Sequence, residues 1–114
     1  MLSQVKEMMK PESQTISSIE FAKAIADETR QMIMTLCCCN KVSVNDIAGQ
    51  LSVSQPTVSH HLKILRDAGL VHSERNGRQV FYSLDQDRLA EACCKVSQDF
   101  APNLPIRLVI DESC

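Results

Sequence analysis

Residues 70–84, LVHSERNGRQVFYSL, place two strand-like runs on either side of Asn76-Gly77, in a chain whose other apolar residues recur at helical spacing. An Asn-Gly pair between alternating runs is the strongest short-range signal for a β-hairpin, since both residues tolerate positive φ. One hairpin set among helices leaves few architectures, and the helices narrow them further.

Four helices are expected before the hairpin and one after it. SSIEFAKAIA carries Ile19, Ala22 and Ala26 along one line and Phe21 and Ile25 along another. A short helix that is apolar most of the way round needs burial on two sides, which points to a partner chain. Asp27 reads as the N-cap of ETRQMIMTLCC, with Thr29, Ile33, Leu36 and Cys37 on one stripe. Ser43 opens a third helix with a loose Ser-x-x-Asp capping box and an apolar face of Val44, Ile47, Ala48 and Leu51. After the turn Ser52-Val53-Ser54, Ser54 caps a fourth helix with Pro56 in its first turn, where a missing N–H costs nothing. Val58, Leu62 and Leu65 point inward and Gly69 ends that helix. Past the hairpin, Asp85 caps a last helix with Leu89, Cys93, Val96 and Phe100 as its stripe, stopped by Pro102 and Pro105.

The expected fold is therefore mainly α with a β-hairpin: a homodimeric winged helix-turn-helix of order α-α-α-α-β-β-α. At 114 residues it is one domain, small enough to gain from dimerisation. Its parts would be an N-terminal extension (1–15, with a short helix ended by Pro11), the helix-turn-helix (43–68), the wing (71–84), a dimerisation helix (86–100) and a C-terminal tail (101–114). No apolar run approaches bilayer length, and MLSQVKEMMKPES lacks the apolar core of a signal peptide. A cytoplasmic protein without membrane contact is expected.

Two short helices joined by a three-residue turn can set the second into a major groove of double-stranded DNA. Net charge is −2, but residues 43–83 hold four cations against three carboxylates and all three histidines. With Val58, Leu62 and Leu65 inward, Ser54, Gln55, Thr57, Ser59, His60 and Lys63 lie on or near the other face. Gln can grip adenine bidentately, and the others reach base edges or phosphates. Arg75 and Arg78 bracket the wing tip, where they can meet phosphates or a minor groove. Ser54 is needed as a cap whatever the function, and His61 reads as a supporting residue. No nucleophile–base–orienter set, phosphate loop or open metal triad is present, so an enzyme is not expected.

DETRQMIMTL, DIAGQLSVSQPTVSHHLKILRDAGLV and RNGRQVFYSL closely resemble the ArsR/SmtB family of metal-sensing winged-helix repressors. The match runs from about Ile19 to Phe100. The resemblance implies a homodimer built on the first and last helices, operator binding without a cofactor, and release when an inducer binds. The family's arsenic site, Glu-Leu-Cys-Val-Cys-Asp-Leu, falls on KVSVNDI, where Ser43 and Asn45 replace both cysteines. Its zinc and cobalt site on the last helix falls on Gln86 and Arg88, and no histidine follows His72. Neither site is expected.

Six cysteines remain. Soft thiolates favour soft ions, so the expected inducer is trivalent arsenic, inorganic or organic, or another thiophilic metal or metalloid. Some family members carry adjacent cysteines on or after the last helix, which makes Cys93 and Cys94 the first-choice ligands, with Lys95 as a nearby cation. Cys37, Cys39 and Cys114 are further thiolates. On a continuous helix Cys93 and Cys94 project about 100° apart, so chelation by that pair needs local unwinding. The run Cys37-Cys38-Cys39 would likewise fan out, with Cys37 in the core, Cys39 beside Met32 and Cys38 nearly opposite. The alternatives are cysteines that only fill a core and a redox or polysulfide switch pairing the second helix with the last.

Overall fold

Every helix among the described residues begins on an oxygen side chain that takes up an otherwise unpaired amide of its first turn. The computed structural model describes residues 16–103. The expected N-terminal helix, the tail beyond residue 103 and Cys114 lie outside them. Helix α1 is Ser18–Ile25, α2 Glu28–Cys37, α3 Val44–Leu51, α4 Gln55–Asp67 and α5 Gln86–Phe100. Their caps are Ser17, Asp27, Ser43, Ser54 and Asp85, each accepting a backbone N–H three residues on.

Strands β2, Val71–Asn76, and β3, Gln79–Leu84, form the hairpin. The sequence centred its turn on Asn76-Gly77. In the structure Asn76 pairs with Gln79, so Gly77 and Arg78 make the two-residue loop. Gly77 has φ +71° while Arg78 stays at negative φ, the pattern of a turn with glycine in its first central position. A further strand, β1, Val42–Ser43, pairs antiparallel with β3 through Val42–Tyr82 and Ser43–Phe81, giving the order β1-β3-β2. Two residues are too few to show a period, so sequence reading placed Ser43 only as a cap.

The core lies where α2, α3 and α4 meet. Ile33, Ile47, Val58, Leu62, Leu65 and Leu70 are fully buried there, with Cys37 beside them. Phe21 and Ala24 attach α1 to this core, whereas Ile19 on the opposite line of α1 is 68 % exposed. On α5, Leu89, Cys93 and Val96 are partly buried against the core, and Ala92 is buried. Phe100, expected on the same inward stripe, is 80 % exposed. It lies beyond the last turn that the core can cover.

The turn after α3 holds Ser52 at φ 58°, the left-handed region that costs a residue with a Cβ roughly 1–2 kcal/mol. That conformation lets the Val53 amide reach the Ala48 carbonyl at 3.2 Å and sets the angle between α3 and α4. At the start of α2, the hydrogen bond from the Arg30 amide holds the Asp27 carboxyl below its ordinary 3.8, helped by the nearby Arg30 charge. A depressed carboxyl contributes stability above its unfolded value, and that contribution is lost as pH falls through the folded value. In denaturant melts, the stability gap between the native protein and Asp27→Ala should therefore be full at neutral pH and close below pH 3.8.

Candidate nucleic-acid interface and cysteine cluster

Helix α4 turns a polar face outward on the side its core residues leave free. Val58, Leu62 and Leu65 have no exposed surface, so the helix cannot rotate without breaking the core. Ser54, Gln55, Thr57, Ser59, His60 and Lys63 are then all exposed. The Ser54 hydroxyl accepts from the Thr57 amide at 3.3 Å and donates to the Thr57 hydroxyl at 2.8 Å. The first turn therefore presents a fixed pair of hydroxyls beside Gln55. Lys63 is held by Asp67 one turn on, at 3.0 Å. An exposed pair of this kind is worth about 0–1 kcal/mol and yields readily to a phosphate.

Helix α4 is braced from behind by Arg30. Its guanidinium donates to His61 Nδ1 at 3.0 Å and to the carbonyls of Ala24 at 2.6 Å and Lys23 at 3.3 Å, tying α1, α2 and α4 together. His61 is thus a supporting residue, while His60 faces outward. Arg75 and Arg78 are both exposed, Arg75 opposite Val80 on the hairpin and Arg78 in the turn itself. Replacing Arg78 by Ala should weaken binding about evenly across sequences and lower the salt slope of log K by roughly one. Unchanged affinity and slope in fluorescence-anisotropy titrations would remove Arg78 from the interface.

The wing base is tied to α5. The Asp85 amide donates to the Leu70 carbonyl at 2.8 Å, and its carboxylate takes His72 Nε2 at 2.8 Å and the Arg88 amide at 2.9 Å. Any movement of the start of α5 is therefore felt at the root of the hairpin.

The cysteines fall into three environments. Cys37 is 1 % exposed, and burial, followed by the neighbouring Cys38, pushes its thiol up to about 11. Cys93 is partly buried and its thiol is raised by the same desolvation. Cys94 is buried and disulfide-bonded, so it does not offer a thiolate beside Cys93 in this state. Cys38 and Cys39 differ from the expected fan. Helix α2 ends at Cys37, Cys38 is its C-cap, and the chain bends through Cys39 and Asn40. The two sulfurs consequently lie 3.2 Å apart. Hydrogen bonding to Cys39 and partial burial raise the Cys38 thiol. Sequence reasoning passed over Cys38 because it extended the helix too far. Asn40, a residue common just past helix ends, was the available stop signal. Among the described residues, no three metal-ligating side chains are grouped.

Residues 27–73 match the model for the bacterial regulatory protein arsR family. The transcriptional repressor SdpR of Bacillus subtilis (strain 168) is 37 % identical over 70 residues, which is 61 % of this chain and 78 % of that protein. A solved structure described as a possible transcriptional regulator for arsenical resistance superposes with TM-score 0.66 at 30 % identity, covering 81 % of this chain and 95 % of that one. The homodimeric winged helix-turn-helix DNA-binding domain of Mb0332 from Mycobacterium bovis gives TM-score 0.61 at 26 % identity, covering 73 % of this chain and 79 % of that one. These relatives are DNA-binding regulators, not enzymes. A buried α3–α4 core, an exposed polar α4 face and a wing with arginines at its tip agree with the matches: this chain belongs to the ArsR/SmtB family of winged helix-turn-helix transcriptional regulators.

Proposed function

We propose that this protein is a transcriptional repressor that holds a double-stranded DNA operator as a homodimer and releases it when a thiophilic inducer, trivalent arsenic, binds its cysteine thiolates. The observation that carries the DNA half is the joint exposure of Ser54, Gln55, Thr57, Ser59, His60 and Lys63 on one side of a helix locked by its buried side. Arg75 and Arg78 extend that surface to the wing. No cofactor is needed for this binding, and the working compartment is the cytoplasm. Among the described residues, no helix is long and apolar enough to cross a membrane.

The inducer half is supported by thiol chemistry and by the relative described as a possible regulator for arsenical resistance. Cys93 and Cys94 on α5 act together only after the Cys94 disulfide is reduced, with Cys37, Cys39 and Cys114 as further thiolates. Operator-bound protein titrated with arsenite in the presence of a phosphine reductant should lose its DNA. Retention of DNA at arsenite concentrations that saturate the thiols would overturn the inducer reading. A second reading, the same fold switched by oxidants or polysulfide, draws on one observation, the disulfide at Cys94. Release by oxidants alone, reversed by a thiol reductant, would select it.

A further inference from the structure

We infer that Cys38 and Cys39 form a ready-made dithiol that chelates a monosubstituted trivalent arsenical, with the organic group lodged in the mainly apolar pocket beside Cys38. The inference rests on the proposed inducer reading and names a site and ligand class for it.

Three observations converge. The first is the sulfur separation. Two bonds of roughly 2.3 Å, the length of a metal–thiolate bond, that span 3.2 Å meet at roughly 90°. That is nearer the pyramidal angle of a trivalent atom with a lone pair than the tetrahedral angle of zinc. The second is coordination number. Cys37 turns into the core, and among the described residues no third metal-ligating side chain joins the pair. Two sulfurs complete an arsenic atom that already carries one carbon, whereas inorganic arsenite would keep a hydroxide. The third is space. An open pocket of about 410 Å³ borders Cys38 and is lined by Ile25, Gln31, Met34, Thr35, Leu84 and Leu89, a mainly apolar setting suited to a small organic substituent.

The binding step leaves oxidation states unchanged. For a dihydroxyarsine, two As–O bonds break, two As–S bonds form, and the two thiol protons leave with the hydroxides as two waters. Each sulfur gives a lone pair to arsenic as its proton leaves.

The site is placed to pass a signal. The Cys38 carbonyl accepts from Gln86 Nε2 in the first turn of α5 at 2.6 Å. Lys41 is ion-paired with Glu74 of the wing, and β1 follows directly, hydrogen-bonded to β3. Closing the Cys38–Cys39 ring reshapes the bend that anchors both α5 and the wing base, two elements whose relative position sets the reading heads of a dimer.

Phenylarsine oxide is the probe, with the full-length protein kept reduced by a phosphine. In Cys93→Ser/Cys94→Ser, which removes the proposed α5 thiolates, one phenylarsenic unit per chain should still form, blocking two thiols and resisting a monothiol chase. Adding Cys38→Ser or Cys39→Ser to that variant should weaken binding on the order of a hundredfold by removing the second, intramolecular bond. Inorganic arsenite should bind Cys93→Ser/Cys94→Ser more weakly than the phenyl compound does. An adduct lost in Cys93→Ser/Cys94→Ser, or unchanged there when Cys38→Ser or Cys39→Ser is added, would overturn the site while leaving the inducer reading intact. Arsenite binding as tightly as phenylarsine oxide would overturn the placement of the organic group. An adduct at Cys38–Cys39 that leaves DNA bound would uphold the site and overturn the inducer reading instead.

Discussion

Replacing Leu62 by Ala should lower the unfolding free energy by about 3 kcal/mol, within the 2–5 kcal/mol that buried leucines lose when truncated. Leu62 has no exposed surface and lies mid-helix on α4, between Val58 and Leu65, which are equally buried. Helix α4 packs against α1, α2, α3 and β2, so a void on its buried face cannot be closed by the movement of one element alone. For a domain with a total stability of roughly 5–15 kcal/mol, that loss is a large share. Urea melts at fixed protomer concentration measure it, since any dimerisation would otherwise shift the midpoint. DNA affinity should fall as well, because Gln55, Thr57 and Ser59 depend on the same helix for their direction. A loss below about 1 kcal/mol would mean that the site repacks and that α4 is not the keystone of the core.

The elements whose burial follows a period were legible before any coordinates. Val58, Leu62 and Leu65 recur at helical spacing, and all three are fully buried. The capping oxygens were legible too, because Asp27, Ser43, Ser54 and Asp85 stand just ahead of apolar stripes and each binds an amide three residues on. What escaped were features decided by single residues. The hairpin turn falls on Gly77-Arg78 because one register aligns the whole pairing from Val71–Leu84 to Asn76–Gln79, and that sum outweighs the Asn-Gly preference. Ser52 takes a left-handed conformation without a glycine to announce it. Phe100 continues the α5 stripe in sequence but not in burial, since periodicity gives the direction of a side chain and not how far the core extends.

The cysteines teach the same lesson about ends. Treated as helix, Cys37-Cys38-Cys39 fan apart and offer no common site. One residue of helix fewer, and two of the three sulfurs meet at 3.2 Å. Helix boundaries are the least secure part of a sequence reading, and in this chain the chemistry of the candidate thiol site depends on one of them. The residues proposed to face DNA depend less on a helix end. Thr57, Ser59, His60 and Lys63 lie within the body of α4 and Arg75 and Arg78 on the hairpin, so a shift of one residue at the start of α4 would leave them exposed.

Phe100→Asp, alone or with Ile19→Asp, should convert the protein to a monomer and reduce affinity for a two-half-site operator by roughly 10²–10⁴-fold. Helices α1 and α5 pack together, and the Ser18 hydroxyl donates to Asp99 at 3.0 Å, fixing the end of α5 beside the start of α1. Ile19 and Phe100, each next in sequence to one of those two residues, are 68 % and 80 % exposed in the single chain. Large apolar residues exposed on two packed helices suit a common cover, and a second copy applied through the same surface would give a closed two-fold dimer. Such a dimer sets two α4 helices about one helical turn of DNA apart, so binding of the first makes binding of the second intramolecular. A carboxylate at position 100 would have to be desolvated in such an interface without a partner. Light scattering reports the mass, and anisotropy with full and half operators separates lost linkage from lost recognition. The variant should bind a half-site as the native protein does and lose only the gain from joining two. A dimeric mass with unchanged operator affinity would place the interface elsewhere, and with it the route by which α5 could carry a thiol signal to the reading heads.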